Sequence, residues 1–205
     1  MTRKNKKKNR PHGHYSNNAD KTPVSRIKHS RPSISVCMIV KDEETFLGNC
    51  LESVKGIADE IIIIDTGSQD NTVNIAKKYT DKIYFHPWKD SFSEARNHYF
   101  DYATGDWIFQ IDADEELFKE DIPILLNAVK NPKTDAILVQ IISHLQGRQF
   151  EGRHNVVRLF RNNGKIHYEG RIHERVVGFK SHQIYPIHFS HHGYDLNEQA
   201  LSEKK

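Results

Sequence analysis

The hydrophobic positions of the chain follow two patterns in turn. Ser33–Val40 (SISVCMIV) is a short, dense apolar run, which predicts a central strand. After the polar KDEE, Phe46, Leu47, Cys50, Leu51 and Val54 recur at helical spacing. Glu60–Asp65 (EIIIID) reads as a second buried strand, closed by the turn Thr66-Gly67-Ser68. Gln69–Tyr79 predicts a helix capped by Asp70 or Asn71, and Lys82–His86 a third strand. Ser93–Ala103 predicts a helix, Trp107–Ile111 a fourth strand and Ile122–Val129 a further helix. Such alternation predicts a parallel sheet with helices on both faces. After Ala136 the pattern changes. Ala136–Ile142, Val156–Phe160 and His182–Phe189 read as strands with no helix between them, an antiparallel or mixed extension of the sheet. The expected fold class is α/β, a Rossmann-like mixed sheet carrying that extension in its C-terminal part.

Charge divides the chain. Its 205 residues suffice for one domain with a sizeable core, and the formal net charge is +3. Residues 1–32 hold ten Lys/Arg and one acid, Asp20, so this segment carries +9 and the rest −6. The segment has few apolar residues and no period, so it is expected to be a disordered, solvated arm. Its alternative use is loose attraction to anionic lipid or nucleic acid. No apolar core follows the basic residues, which excludes a signal peptide. The longest aliphatic run, Ile61–Ile64, is far short of a membrane span. Cys37 and Cys50 fall at apolar positions and read as reduced core residues, although their number also allows one disulfide. A cytoplasmic protein is expected, with peripheral membrane contact only through the basic arm. Residues 33–196 form the expected domain. Residues 197–205 read as the opening of a helix that stops without a cap, as in a truncated form of something longer.

The chemistry concentrates at strand tips. Trp107–Glu116 (WIFQIDADEE) is an apolar run that ends in four carboxylates within five positions. Residues i and i+2 of an extended segment point to one side, so Asp112 and Asp114 would present two carboxylates to one point. They would repel unless a cation lay between them. A hard divalent ion with oxygen ligands is the natural occupant, with a phosphate supplying other positions. The plain alternative is a solvated turn whose acids cap the next helix. An EF-hand is excluded, because its sixth and twelfth positions would be Leu117 and Pro123 instead of Gly and Glu. In open parallel sheets ligands sit outside the carboxyl ends of strands, and other groups gather there. Asp65 and the Thr66-Gly67-Ser68 turn end the second strand, and Asp42 and Glu43 the first. Asp90 lies beyond the third, and Arg96 in the first turn of the next helix supplies a fork that suits a diphosphate. Together these groups describe a nucleotide-diphosphate site.

The segments SVCMIVKDEETFLGNCLESV, EIIIIDTGSQDNT, FSEARN and GDWIFQIDADEEL resemble family 2 glycosyltransferases of the GT-A fold. WKDSFSEARN, RLFRNNGKIHYEGRIHE and HHGY are similar to the sub-group of cell-wall and lipopolysaccharide-core transferases, which includes peptide S-glycosyltransferases of the sublancin type. The resemblance covers roughly residues 33–196. It implies an inverting, metal-dependent transferase. The donor would be a nucleotide-diphosphate sugar, a UDP-sugar, and the acceptor a saccharide, a lipid-linked saccharide or a peptide. Asp65 would contact the base, with Asp42, Glu43, Ser68 and Asp90 in the same nucleotide pocket. Arg96 would touch the nucleotide or diphosphate. Asp112 would face ribose and metal, and Asp114 would ligate Mn²⁺ or Mg²⁺. Gly170–Glu174 (GRIHE) would lie on the acceptor side, with Glu174 as catalytic base. The alternative for Glu174 is an ion pair with Arg171 or Arg175. His191 would approach the metal or diphosphate, or serve as a hydrogen-bonded structural His. The chain departs from the family pattern in having Asp42-Glu43 where Asn-Glu is usual. The helical repeats that often follow the catalytic domain in this sub-group are absent from these residues.

Other residues carry weaker signals. His191 and His192 point to opposite faces of a strand, so at most one belongs to a given site, and without Cys or HExxH a zinc centre is not expected. Trp88 reads equally as a stacking platform or a core residue. Arg153, Arg158, Arg161 and Arg171 read as solvated strand-face residues, with binding of an anionic acceptor as the alternative. The globular part is acidic and lacks a basic stripe with interleaved aromatics, so no specific nucleic-acid partner is expected. A domain that binds nucleotide sugar or a partner with little turnover is the competing reading.

Overall fold

The computed structural model describes residues 31–143 and 152–193. The basic segment up to residue 30, the end from residue 194 and Tyr194 lie outside the described residues. The fold begins with β1 (Ile34–Val40), α1 (Leu47–Val54), β2 (Glu60–Asp65), α2 (Thr72–Ala76) and β3 (Ile83–Phe85). Next come α3 (Phe92–His98), a 3-10 turn (Tyr99–Asp101), β4 (Trp107–Gln110), β5 (Glu115–Leu117) and α4 (Ile122–Ala128). The C-terminal part holds β6 (Ala136–Ser143), β7 (Gly152–Arg161), β8 (His167–Glu169), β9 (Arg175–Val177) and β10 (His182–His191). Eight strands form one sheet in the order β3-β2-β1-β4-β7-β6-β10-β5, and β8 pairs with β9 apart from it.

The first four strands of that order are mutually parallel, as alternation with helices requires. The extension is mixed. β7 runs antiparallel to both β4 and β6, β10 parallel to β6, and β5 antiparallel to β10. β10 carries an irregularity between Ile184 and His188, around Pro186, which has no N–H to give to a ladder.

Side chains alternate between two apolar layers, as the pleat dictates. Val36, Met38, Ile61, Ile63, Trp107 and Phe109 pack with α1 and α4. Cys37, Ile62, Ile64 and Ile108 pack on the other face with Tyr99, Phe160 and Tyr168. Both cysteines are free and buried, Cys37 in one layer and Cys50 in the other. Trp107 donates from Nε1 to the Val129 carbonyl at 3.0 Å and stacks under Arg161, whose Cζ lies 4.4 Å from the ring centroid. Arg31 donates to Asp59 at 2.6 Å and to the Ile57 carbonyl at 2.9 Å, so the domain edge reaches at least this far. Among the described residues no helix is long and apolar enough to cross a membrane.

Two expected helices are shorter than their periodicity suggested. Asp70 Oδ1 accepts from Thr72 N at 2.9 Å, which delays the start of α2, and the segment after Ala76 closes in turns. The expected Ser93–Ala103 helix is α3 followed by the 3-10 turn, with Ser91 as N-cap accepting from Glu94 N. β5, β8 and β9 were not foreseen. Each is three residues long (EEL, HYE, RVV), too short for a period to register.

Candidate active site

A cleft of about 510 Å³ opens at the carboxyl ends of β1, β2 and β4. Lys41, Glu43 and Thr66 line one wall, Trp88 and Phe92 another, and Arg96, Asp112, Asp114 and His191 meet there. Three non-glycine residues with positive φ lie in the loops around it: Asp42 at 53°, Asp90 at 54° and His173 at 56°. Asp and His tolerate this region better than most residues.

Asp112 is the hub. Arg96 Nη2 donates to its Oδ1 at 2.8 Å, as does Gln110 Nε2 at 2.9 Å. Arg158 Nη2 donates to its Oδ2 at 2.9 Å. Burial alone would push the Asp112 carboxyl up, but the Arg96 and Arg158 guanidiniums outweigh it and hold the carboxyl well below the usual carboxylate range. The residue after the acidic pair, Glu115, is 2% exposed. Its Oε2 accepts from Asp112 N at 3.2 Å, and its Oε1 accepts from Arg158 Nη2. Burial raises the Glu115 carboxyl to about 6 despite Arg158.

Asp114 faces a different partner. His191 Nε2 lies 3.4 Å from Asp114 Oδ2, and the Asp114 carboxylate raises the imidazole above its ordinary range. The β5–β10 pairing, with His191 opposite Glu115, brings His191 here. The next residue turns the other way, His192 Nε2 lying 3.4 Å from Glu116 Oε1. Gly193 closes the spot: a Cβ there would fall 2.3 Å from Asp114 Oδ2 and 3.1 Å from the His191 ring.

Asp112 and Asp114 thus reach one cleft, but not as neighbours on an extended strand. β4 ends at Gln110, and Glu115 N donates to the Asp112 carbonyl at 3.0 Å, so the segment is a turn. Their charges are met separately, by two arginines and by a histidine. Among the described residues no group of three His, Cys, Asp or Glu side chains stands ready to hold a metal alone.

The other predicted residues divide into those that line the cleft and those that build its walls. Asp65 accepts from Ser68 N at 3.1 Å and Gly67 N at 3.3 Å, fixing the tight turn that Gly67 makes at φ 119°. Ser68 Oγ accepts from Asp42 N at 3.0 Å, and Asp42 Oδ1 accepts from Gln69 N at 2.7 Å. Glu43 N donates to Thr72 Oγ1 at 2.7 Å. Asp42, Asp65 and Ser68 therefore lace the loops after β1 and β2 together, while Glu43 and Thr66 face the cleft. Asp90 accepts from Trp88 Nε1 at 3.1 Å, and Trp88 meets Phe92 edge-on at 4.9 Å, so Asp90 acts through an aromatic wall.

Glu174 is paired with neither Arg171 nor Arg175. Its Oε1 accepts from Arg96 Nε at 2.7 Å, and it is not among the residues that line the cleft. Arg96 is 6% exposed and bridges Glu174 to Asp112, while its Nη1 finds no acceptor among the described residues. An orphaned guanidinium N–H beside a cleft suits an anionic ligand or a water.

Arg158 is the main correction. It is no solvated strand-face residue: its side chain is 12% exposed and donates to Gln110, Asp112 and Glu115. The β4–β7 register pairs Phe109 with Leu159, which sets Arg158 across from Gln110. No local sequence signal announced this, because the register belongs to the sheet. Of the other arginines, Arg161 bonds the carbonyls of Thr134 and Asn131, and Arg171 bonds that of Asp90.

A parallel half-sheet with acids and an arginine at its carboxyl edge, extended by mixed strands, is a GT-A glycosyltransferase fold. The family model "Glycosyl transferase family 2" matches residues 35–190, and the chain belongs to that family. A TPR repeat-containing protein of Synechococcus elongatus is 42% identical over 143 residues, 70% of this chain and 35% of that protein. The SPbeta prophage-derived glycosyltransferase SunS of Bacillus subtilis is 33% identical over 188 residues, 86% of this chain and 43% of SunS. The chain thus spans less than half the length of these curated relatives. The crystal structure of S. aureus TarS 1-349 in complex with UDP-GlcNAc matches with a TM-score of 0.53 at 14% identity, over 75% of this chain and 58% of that one. A second crystal structure of S. aureus TarS 1-349 also gives 0.53, at 16% identity, over 67% of this chain and 50% of that one.

Proposed function

We propose that the domain transfers a sugar from a nucleoside-diphosphate donor, a UDP-sugar, to a saccharide, lipid-linked or peptide acceptor. The observation that carries this reading is the convergence of Arg96, Asp112 and the Asp114–His191 pair on one cleft at the carboxyl edge of the sheet. Arg96 binds the departing diphosphate, and its Nη1 is the donor still in need of an acceptor. Trp88 and Phe92 offer an aromatic wall to the base or sugar.

The donor set fits a hard divalent cation, Mn²⁺ or Mg²⁺. Asp112, Glu115 and Glu174 face the Arg96 and Arg158 guanidiniums, which leaves the Asp114 carboxylate, beside the His191 imidazole, as an oxygen donor at the cleft. Two protein ligands, Asp114 and His191, suffice when diphosphate oxygens complete the shell. Such an ion supplies charge stabilisation to the leaving diphosphate. Asp112, with both oxygens already engaged, orients the site for the ribose. Glu174 takes the acceptor proton in a single inverting displacement, oriented for it by Arg96.

Calorimetry of UDP with and without Mn²⁺, on the wild type and on Asp114→Ala, tests the donor site. Binding that needs both the metal and Asp114 is expected. No binding of UDP or other nucleoside diphosphates by the folded wild type would overturn the reading.

A second reading is a domain that holds a nucleotide sugar without turning it over. The position of Glu174, tied to Arg96 and off the cleft lining, favours it. Sugar transfer by the 205-residue chain to any acceptor, or to water, would exclude it.

A further inference from the structure

Glu115 and Arg158 lie outside the donor-binding roles above, yet they surround Asp112. Glu115 Oε2 caps the Asp112 amide at 3.2 Å, so it fixes the turn whose next residues are Ala113 and Asp114. Arg158 Nη2 holds Asp112 Oδ2 at 2.9 Å and bonds Glu115 Oε1 with the same nitrogen. Its Nη1 bonds Gln110 Oε1, and Gln110 Nε2 returns to Asp112 Oδ1 at 2.9 Å. The ring of contacts closes on itself: turn amide, Glu115, Arg158, Gln110, Asp112. Glu115 and Gln110 are 2% and 1% exposed, so a polar ring this enclosed is ordered by its own bonds. Arg96 joins this ring from outside, donating at 2.8 Å to the same Asp112 Oδ1 that Gln110 holds.

We propose that Glu115 and Arg158 are positioning residues of the donor site, which together fix the Asp112 carboxylate and aim the turn that carries Asp114. The proposal rests on the donor-site reading above. Neither residue touches the donor; each acts through Asp112. Partners of this kind, one step behind a ligand-binding carboxylate, typically cost ten- to a hundredfold in affinity when lost.

The test is calorimetric affinity for UDP with Mn²⁺ in the wild type, Glu115→Gln, Arg158→Gln and the double variant, each with its thermal midpoint. Each single variant is expected to bind about tenfold or more weakly. The double variant should lose no more than the worse single, because the pair acts as one unit. Wild-type affinity in folded single variants would overturn the proposal, as would losses that multiply in the double. A merely structural pair would lower the thermal midpoint and leave the affinity of the folded protein intact. Failure of all three variants to fold would likewise overturn the proposal, by making the pair a folding element. If the wild type itself binds no UDP, the donor-site reading fails instead.

Discussion

Arg96 Nε stands 2.7 Å from Glu174 Oε1, although 78 positions separate the two residues. The same guanidinium holds Asp112 Oδ1 at 2.8 Å. One buried cation therefore joins α3, the end of β4 and the loop between β8 and β9. Removing one partner of a buried ion pair leaves uncompensated charge behind. Arg96→Ala is expected to lower stability by about 3–5 kcal/mol in urea unfolding. A loss under about 1 kcal/mol would place the two carboxylates in better solvent contact than their burial indicates. Arg96→Lys should recover only part of this, because the compact ammonium lacks the planar spread by which Nε and Nη2 reach separate carboxylates.

The neighbouring Asn97 makes a clasp. Its Nδ2 donates to the Tyr168 carbonyl and its Oδ1 accepts from the Tyr168 amide, both at 2.9 Å. The side chain thus serves β8 as a strand edge would. Phe92 N donates to the Arg171 carbonyl at 2.9 Å, a second tie between α3 and the β8–β9 loop. Asn97→Ala strands two backbone groups of a buried residue, which costs about 1–3 kcal/mol. Hydrogen exchange at Tyr168 should accelerate in this variant while amides in β1 keep their protection. Unchanged exchange at Tyr168 would show that the loop holds without the clasp.

Gly193→Ala separates site from fold. The added Cβ meets the far end of the Asp114 side chain, which can swing away, and not backbone. The thermal midpoint should move little. Mn²⁺-dependent UDP binding should fall about tenfold or more, as for other displaced metal-site residues. Native affinity in this variant would remove Asp114–His191 as the metal position.

Glu60 sets an acid limit on stability. It accepts from Thr104 N at 2.6 Å, from Gly105 N at 3.2 Å, and from Ser35 Oγ and Lys82 Nζ, so it ties β1, β2 and the approaches to β3 and β4. Burial would raise its carboxyl, but the bonds from Lys82, Ser35 and Thr104 prevail and bring it below the ordinary value of 4.5. A carboxyl lowered in the folded state adds stability above its unfolded value. That contribution is lost as pH falls through the folded value. The urea midpoint of the wild type should exceed that of Glu60→Gln at pH 7, and the two should converge as pH falls through the lowered folded-state value. A gap independent of pH would assign the difference to packing.

Much of the fold was written in local pattern. Ile61–Ile64 and Val36–Met38 are apolar on both faces because helices cover both, and Leu47, Cys50, Leu51 and Val54 recur at the helical period because one stripe is buried. Glycine and acids at strand tips marked the carboxyl edge of the sheet as the binding edge, and Arg96, Asp112, Asp114, Glu43 and His191 do meet there. These signals are short-range, and a chain carries them whether or not it is folded.

Pairing between distant segments is different in kind. Nothing near Arg158 tells that β7 will lie against β4, and one step of register would turn its side chain to the opposite face. Asp65 and Ser68 are wall-builders and not lining residues because of how two loops interlock. His191 meets Asp114 only because three residues after the acidic turn add a strand to β10. Glu174 met Arg96 and neither nearby arginine, since β8 and β9 fold its loop back onto α3. The sequence by itself determined which edge of which sheet would gather these acids and the arginine. The tertiary structure decided which charge faces which, because that depends on register and loop closure across tens of residues.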